Sequence, residues 1–241
     1  MNYLLKTTLL GLFFGTFGTT IGGIIGVTFK NTSNRFLSFI LEFAAGLMMA
    51  IICFDLIPES LELTNIVITL IGIIFGILVM FICDSTIKKM NFKNKSSLLK
   101  TGIIVGIGLA LHNFPEGLAI GSGFEASLKL GYSLAIAILL HDIPEGISMS
   151  VPMKSGGMSK SKALIYTFLS GVTTGIGAFF GALVGNISTV MIGICLAFAA
   201  GAMLYIVSGE LIPESNKIYK GRMGFAGNIL GFILGIIAFN I

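Results

Sequence analysis

The stretch IVITLIGIIFGILVMFIC, residues 66–83, runs for 18 residues without a charged side chain. A helix needs about 20 such residues to cross the hydrocarbon core of a bilayer. Similar runs fill the chain, which has 241 residues, 11% of them charged, and a mean hydropathy of +0.98. A soluble domain carries about 25% charged residues. The composition therefore excludes a soluble protein and predicts an all-α polytopic protein of the cell membrane.

Short polar breaks divide the chain into eight predicted spans within a single transmembrane domain, residues 1–241. The longest polar break, 87–100, is too short for a soluble domain. The first apolar stretch runs to Phe29 without a small-residue cleavage site, so we interpret it as a span and not as a signal peptide. The spans are predicted at about 7–29, 36–58, 65–84, 101–121, 131–152, 163–185, 188–212 and 223–240.

Lysine and arginine are concentrated on one side of the predicted bundle. Cytoplasmic loops of membrane proteins carry an excess of these residues. With the N-terminus outside the cytosol, 13 of the 15 basic residues fall in inside loops, and only Lys6 and Lys129 fall outside. The asymmetry predicts that both termini lie outside the cytosol. It also explains the net charge of +4 without a nucleic-acid partner.

The segment 44–60 recurs at 199–215, at a constant offset of 155 residues and with 10 of 17 positions identical. The copies end in DLIPES and ELIPES and lie on spans two and seven, which run in opposite directions. The pattern predicts an inverted repeat, spans 1–3 against spans 6–8, around a central pair. Secondary transporters are often built this way, with the ion site near the midplane. Four carboxylates at the repeat ends are candidate pathway mouths, with interfacial helix-end charges as the alternative: Asp55, Glu59, Glu210 and Glu214.

Both histidines of the chain open the same motif in the middle of an apolar span, HNFPEG at 112–117 and HDIPEG at 141–146. Ionisable groups inside a membrane are costly and mark functional sites. A histidine and a glutamate four residues apart lie on one helix face, so two antiparallel helices carrying this pair converge on a His₂Glu₂ cluster. Imidazole and carboxylate ligands suit Zn²⁺ and other first-row ions. Together with the residues that follow each histidine, the candidate ligands are His112, Asn113, Glu116, His141, Asp142 and Glu145.

Each motif also contains a proline and a glycine. A proline inside a helix removes a backbone donor and frees the carbonyl four residues earlier, here at Leu111 and Leu140. Each helix is therefore expected to be broken beside its histidine. Gly117 and Gly146 are expected to let the two broken helices approach each other.

The paired HNFPEG and HDIPEG segments, with DLIPES and ELIPES, resemble the prokaryotic branch of the ZIP (Zrt-/Irt-like protein) metal transporters over essentially the whole chain. The resemblance implies eight spans in a 3+2+3 arrangement. It also implies import of a divalent metal into the cytosol, zinc first, with iron, manganese, cobalt or cadmium as further substrates. The six candidate ligands would bind this transported metal, which is a substrate and not a cofactor. An elevator-like movement has been proposed for the family, and the inverted repeat is compatible with it.

Span six departs from the family pattern. Binuclear members commonly place a further carboxylate there in an S-G-x-x-E-P-like context, whereas this chain reads SGVTTG at 170–175. No aspartate, glutamate or histidine occurs between Ala163 and Gly185. One metal ion per protomer is therefore expected.

The alternative function is that of an enzyme, an intramembrane metal-dependent hydrolase. Catalytic zinc usually keeps three protein ligands and an open position, which two histidines and a glutamate can supply. The H-E-x-x-H pattern is absent, and the inverted repeat favours alternating access. A transporter is therefore expected, not an enzyme, with divalent metal cations and the lipid bilayer as its partners.

Small residues give two further expectations. Glycines at four-residue spacing in spans one and eight allow close helix packing, either within the protomer or at the face of a homodimer. The three cysteines, Cys53, Cys83 and Cys195, lie in apolar runs without paired spacing. We therefore expect neither a disulfide nor a thiolate metal site from them.

Overall fold

The structure is a computed structural model, and it describes residues 3–28, 33–89 and 97–239. Within these ranges the chain forms helices and contains no strand. The helices are α1 (Tyr3–Thr28), α2 (Asn34–Leu63), α3 (Ile66–Lys88), α4 (Ser97–Ala126), α5 (Leu128–Ser155), α6 (Lys160–Gly185), α7 (Thr189–Ile218) and α8 (Arg222–Phe239).

Seven of these helices in the described ranges are long and apolar enough to cross a membrane. The apolar stretch of α8, Arg222–Ile237, is shorter. The prediction of an all-α multi-pass membrane protein is confirmed. Helices α4 and α5, with 30 and 28 residues, extend several residues beyond the predicted spans at both ends.

Small polar residues in the breaks begin four of the helices. The side chain of Ser33 accepts a hydrogen bond from Phe36 N, and that of Asn65 accepts from the first turn of α3. Ser127 and Ser188 cap α5 and α7 in the same way. A side-chain oxygen at this position satisfies a backbone N–H that has no partner inside the helix. The polar breaks therefore fix where the helices begin as well as separating the spans.

Helices α2 and α7 share an irregularity in the same place. Each contains a five-residue π-helical segment, Ile52–Leu56 in α2 and Val207–Leu211 in α7, followed by a short α-helix with proline in its first turn. The two segments lie 155 residues apart, which is the offset of the sequence repeat. π-Helical segments inside α-helices occur frequently at functional sites. Here they carry Asp55 and Glu210.

Helix packing follows a pairwise pattern. Helix α1 packs against α5 and α6, and α4 packs against α6 and α5. Helix α2 packs against α8 and α5, while α7 packs against α3 and α4. If α1 is exchanged with α6, α2 with α7, α3 with α8 and α4 with α5, each of these contacts becomes a contact of the same set, and the contacts of α1 with α6 and of α4 with α5 map onto themselves. An inverted repeat requires this pattern, so the packing supports the predicted repeat.

Glycines bring the backbones of several helices together. A Cβ at Gly22 of α1 would meet the Ile143 carbonyl of α5, and one at Gly15 would meet Thr174 of α6. Gly227 and Gly231 of α8 pack in the same way against the α2 backbone. The glycines of α1 and α8 are thus used inside the protomer, and a homodimer stays a prediction. All three cysteines are free, on α2, α3 and α7.

Two buried serines make equivalent hydrogen bonds between the repeats. Ser60 Oγ donates to the Gly193 carbonyl at 2.8 Å, and Ser215 Oγ donates to the Ser38 carbonyl at 3.2 Å. The repeat offset of 155 residues relates Ser60 to Ser215 and Ser38 to Gly193. The two hydrogen bonds are therefore equivalent under the repeat. Each copy of the IPES segment therefore anchors its helix end to the start of the long helix in the other copy.

Replacing Ser60 or Ser215 by alanine is expected to destabilise the protein to a similar degree. A lost interhelical hydrogen bond costs about 0.5–1.5 kcal/mol, which corresponds to a fall in melting temperature of about 2–4 °C per kcal/mol for a chain of this length. Thermal unfolding in detergent measures it. Ser122→Ala is the matched control, because Ser122 Oγ bonds within its own helix, to the Leu118 carbonyl at 2.6 Å. Unchanged melting temperatures for both Ser60→Ala and Ser215→Ala would contradict the anchoring role.

Candidate metal centre

The two histidine motifs lie inside α4 and α5, which pack side by side. Pro115 and Pro144 are inside continuous helices, so the prediction that the helices are broken beside the histidines is wrong. Transmembrane helices tolerate proline where neighbouring helices and local adjustments satisfy the freed backbone groups. The expected use of the two glycines is also corrected. Gly117 packs against the α6 backbone and Gly146 against the α1 backbone, so they join α4 to α6 and α5 to α1.

The histidines and glutamates pair across the interface between α4 and α5. His112 Nε2 lies 3.1 Å from Glu145 Oε2, and His141 Nε2 lies 3.0 Å from Glu116 Oε1. All four side chains are buried, with at most 2% of their surface exposed. Each histidine thus contacts the glutamate of the other helix. The two helices therefore bring these four side chains together, one histidine and one glutamate from each helix.

Asp142 adds a third carboxylate to this cluster. Its Oδ1 lies 3.6 Å from His141 Nε2. One ligand atom from each of Glu116, His141, Asp142 and Glu145 can be chosen so that all four lie within 4.8 Å of one another. Zinc–ligand bonds of about 2.0–2.2 Å place the ligand atoms of a tetrahedral ion about 3.3–3.6 Å apart. The four atoms are therefore close enough for one ion to draw them together by side-chain shifts of about 1 Å.

Several oxygens of the cluster have no hydrogen-bond partner among the described residues: Glu116 Oε2, both Asp142 oxygens and both Glu145 oxygens. Glu145 Oε2 is close enough to His112 for an ion pair, but the angles are not those of a hydrogen bond. Buried polar groups are normally hydrogen-bonded, and each one left without a partner costs about 1–3 kcal/mol. A divalent cation would satisfy several of these oxygens at once.

Asn113 lies beside the cluster with its amide held in one orientation. Asn113 Nδ2 donates a hydrogen bond to the Ser170 carbonyl of α6 at 3.0 Å. Its Oδ1 is buried and has no hydrogen-bond partner within the described ranges. Asn113 therefore links α4 to α6 and offers a neutral oxygen as a ligand.

Thr174 is the α6 residue at the position where binuclear family members commonly have a further carboxylate. It is buried, its backbone carbonyl faces Gly117, and its side chain packs against Gly15. Its hydroxyl has no hydrogen-bond partner in the part of the chain that the structure describes. The grouped histidine and acidic side chains of that part belong to α4 and α5 alone.

A cavity of about 600 Å³ reaches from the cluster to one end of the bundle. His112 lies in its wall, and Glu210 and Glu214 line it farther along. Lys217 Nζ donates to Glu214 Oε2 at 3.2 Å. The cavity also contacts the ends of four helices, at Asn34, Ile87, Ser155 and Ile218. These ends adjoin the loops that carry most of the basic residues.

The other two candidate mouth residues, Asp55 and Glu59, lie toward the opposite end of α2 and are not among the residues that line this cavity. Asp55 Oδ2 is buried without a hydrogen-bond partner among the described residues. On this side α2 and α5 meet through fully buried apolar side chains, including Met48, Ile51 and Ile138. The cavity in the described residues therefore leads from His112 toward the end of the bundle that carries Glu210 and Glu214.

The sequence indicated no role for two acidic residues inside the predicted spans, Glu42 and Asp84. Tyr205 of α7 donates its hydroxyl hydrogen to Asp84 Oδ2 of α3 at 2.7 Å, and Asp84 lines the cavity. Asn228 of α8 donates to Glu42 Oε2 of α2 at 2.9 Å, away from the cavity. In the sequence, Asp84 stands out as an acidic residue at the end of an apolar run. No signal in the sequence indicated its tyrosine partner.

Known proteins are similar in sequence to this chain. Residues 91–239 match the family model described as "ZIP Zinc transporter". The chain is 33% identical to "Zinc transporter ZupT" of Clostridium perfringens, over 97% of this chain and 95% of that relative. It is 34% identical to the ZupT protein of Oceanobacillus iheyensis over 97% of each chain. The chain belongs to the ZIP family. "Zinc transporter GufA" of Myxococcus xanthus is 38% identical over 57% of this chain and 54% of its own.

ZIP membership confirms the resemblance seen in the two histidine motifs. It identifies the chain as a member of a transporter family and not as an enzyme, so the alternative of an intramembrane hydrolase is not retained. It also indicates transport of a divalent metal, and the buried His/Glu/Asp cluster fits a site for such an ion.

Proposed function

We propose that this ZIP-family protein carries zinc into the cytosol, with iron, manganese, cobalt and cadmium as further substrates. The observation that carries the proposal is the pair of buried cross-helix His–Glu contacts at 3.1 and 3.0 Å. The proposed site consists of His112, Asn113, Glu116, His141, Asp142 and Glu145.

The chemistry of this site suits a first-row dication. Imidazole and carboxylate ligands together favour zinc and its neighbours, whereas Mg²⁺ and Ca²⁺ prefer oxygen ligands alone. The carboxylates of Glu116, Asp142 and Glu145 offset the charge of one dication. The family relatives named as zinc transporters support zinc as the first substrate.

The cavity supports a direction of release. With the basic loops in the cytosol, the open end of the cavity faces the cytosol, and both termini lie outside. An ion leaving the site passes Glu210 and then Glu214. In this proposal Asp55 and Glu59 attract cations at the outer end.

The inverted repeat supports alternating access as the transport mechanism. Two related halves can exchange conformations around one fixed ion site, which opens the site to either side of the membrane. The equal offset of the two π-helical segments and of the serine hydrogen bonds supports the 3+2+3 arrangement, with α4 and α5 as the central pair.

Zinc uptake into proteoliposomes tests the proposed function. The purified protein is reconstituted around an entrapped zinc-sensitive dye, and Zn²⁺ is added outside. We expect dye fluorescence to respond in wild-type vesicles and not in vesicles that carry Glu116→Ala. Equal rates in wild-type, variant and protein-free vesicles would contradict zinc transport.

The proposed orientation predicts a labelling pattern in intact cells. In a variant without native cysteines, a cysteine at the exposed Asn186, between α6 and α7, should react with an impermeant thiol reagent. A cysteine at the exposed Ser161, near the other end of α6, should react only after lysis. The two sites act as controls for each other, and the reverse pattern would reject the topology.

A further inference from the structure

Two glycines of the cavity wall are not used for helix packing. A Cβ built at any other glycine inside the described helices would come to 3.0 Å or less from a neighbouring atom. At Gly108 of α4 the nearest atom is Glu210 Oε2, at 3.9 Å. At Gly209 of α7 it is the Tyr205 ring of the same helix, at 3.6 Å.

Glycine weakens a helix relative to alanine because it loses more backbone freedom on folding. In the other helical glycines, close approach to a neighbouring helix offsets this cost. Gly108 and Gly209 have no such approach, and both line the cavity that contains His112. The absence of a side chain at these positions therefore leaves open space in the cavity and does not serve packing.

The two positions lie on the path that leads away from the metal cluster. Gly108 precedes His112 by one helical turn, so the two residues share a face of α4. Gly209 precedes Glu210 in the π-helical segment Val207–Leu211. The cavity of about 600 Å³ holds on the order of 20 waters at about 30 Å³ each, which is room for a dication with a complete water shell.

We propose that Gly108 and Gly209 form a bare-backbone portal that sets the width of the passage between the metal cluster and the cytosol. This inference rests on the proposed transport function. Glu210 borders the portal with its carboxylate, so a hydrated cation is attracted at the point where no side chain obstructs it. The portal residues do not ligate the ion in the cluster. They determine whether a released, rehydrated ion can leave.

Size-graded substitutions at Gly108 separate release from binding. Gly108→Ala adds one methyl group and favours the helix, so we expect a stable protein with zinc uptake reduced about two- to five-fold. Gly108→Leu extends a side chain toward Glu210, and we expect uptake to fall at least ten-fold. Zinc affinity of the detergent-solubilised protein should change less than three-fold in both. Ala110→Leu adds similar bulk on the same helix outside the cavity wall and should transport as wild type.

Cysteine labelling measures access to the passage independently of zinc transport. In a variant without native cysteines, Gly108→Cys and Gly209→Cys should react with a cationic methanethiosulfonate added to the cytosolic face of inside-out vesicles. Ala110→Cys should react at least ten-fold more slowly. Failure of Gly108→Cys and Gly209→Cys to react, or full zinc uptake by Gly108→Leu, would overturn the portal. Absence of zinc uptake by the wild type would count against the proposed function instead, since the labelling rates report the portal alone.

Discussion

Alanine at His112, Glu116, His141 or Glu145 is expected to lower zinc affinity by well over ten-fold and to abolish zinc uptake. Changes in residues that only orient metal ligands typically cost 10–100-fold in affinity, so the loss of a ligand should cost at least that much. Each substitution also removes the cross-helix contact of a buried partner, since the two His–Glu pairs are at 3.1 and 3.0 Å. Isothermal titration of the purified protein and proteoliposome uptake measure the two effects.

A matched pair of glutamates separates metal binding from general damage to the membrane domain. Glu42 and Glu116 are both buried in helices, but Glu42 accepts a hydrogen bond from Asn228 at 2.9 Å, away from the cluster. Glu116→Gln should lose zinc affinity because a neutral amide replaces a carboxylate ligand. Glu42→Gln keeps the shape of the side chain and should bind zinc as the wild type does. Wild-type affinity in all four alanine variants would reject the site.

Sequence reasoning reached the helix class and the grouping of the ligands for identifiable reasons. Apolar runs of span length form helices in lipid, because a helix satisfies its backbone groups within its own segment and these runs lack the alternation of barrel strands. The four-residue spacing between histidine and glutamate fixes one helix face. Since both histidines lie in such motifs, the local pattern alone placed His112 and His141 on facing helices.

The partners of the glycines could not be predicted from local spacing. Gly117 and Gly146 follow the motif glutamates directly, yet they pack against α6 and α1 and not against each other. A glycine allows close approach without specifying which helix approaches. The same limit applies to Asp84 and Tyr205, which are 121 positions apart in the chain and meet through packing of α3 against α7.

The sequence also could not predict which end of the bundle the cavity reaches. The repeat treats Asp55 and Glu210 as equivalents, but only Glu210 lines the cavity. A symmetric sequence pattern describes both ends of the pathway equally, whereas a single conformation opens one of them. The matching positions of the two residues in the repeat therefore could not indicate which of them lines the cavity.

The transport site is expected to hold one metal ion per protomer. Two dications bring a charge of +4 into a low-dielectric site, and the described residues contribute three carboxylates to the cluster, from Glu116, Asp142 and Glu145. At the α6 position where binuclear family members have a further carboxylate, this chain has the neutral Thr174. Crystals soaked in Zn²⁺ or Cd²⁺ should show one strong anomalous peak between α4 and α5. Two strong peaks about 4 Å apart, the separation of two-metal sites, would contradict the prediction.

Thr174→Glu is expected to create the second metal position. The Thr174 backbone carbonyl contacts Gly117, the neighbour of Glu116, and its side chain packs against Gly15 of α1, so the longer glutamate side chain must leave the α1 contact to bring a fourth carboxylate to the cluster. Thr173→Glu is the matched control, because the adjacent Thr173 side chain bonds the Ser170 carbonyl of its own helix at 2.6 Å. A second anomalous peak in Thr174→Glu alone would place Thr174 at the missing ligand position. An unchanged single peak in a folded Thr174→Glu protein would show that the α6 side chain does not reach the metal, since the added charge removes the electrostatic reason for excluding a second ion.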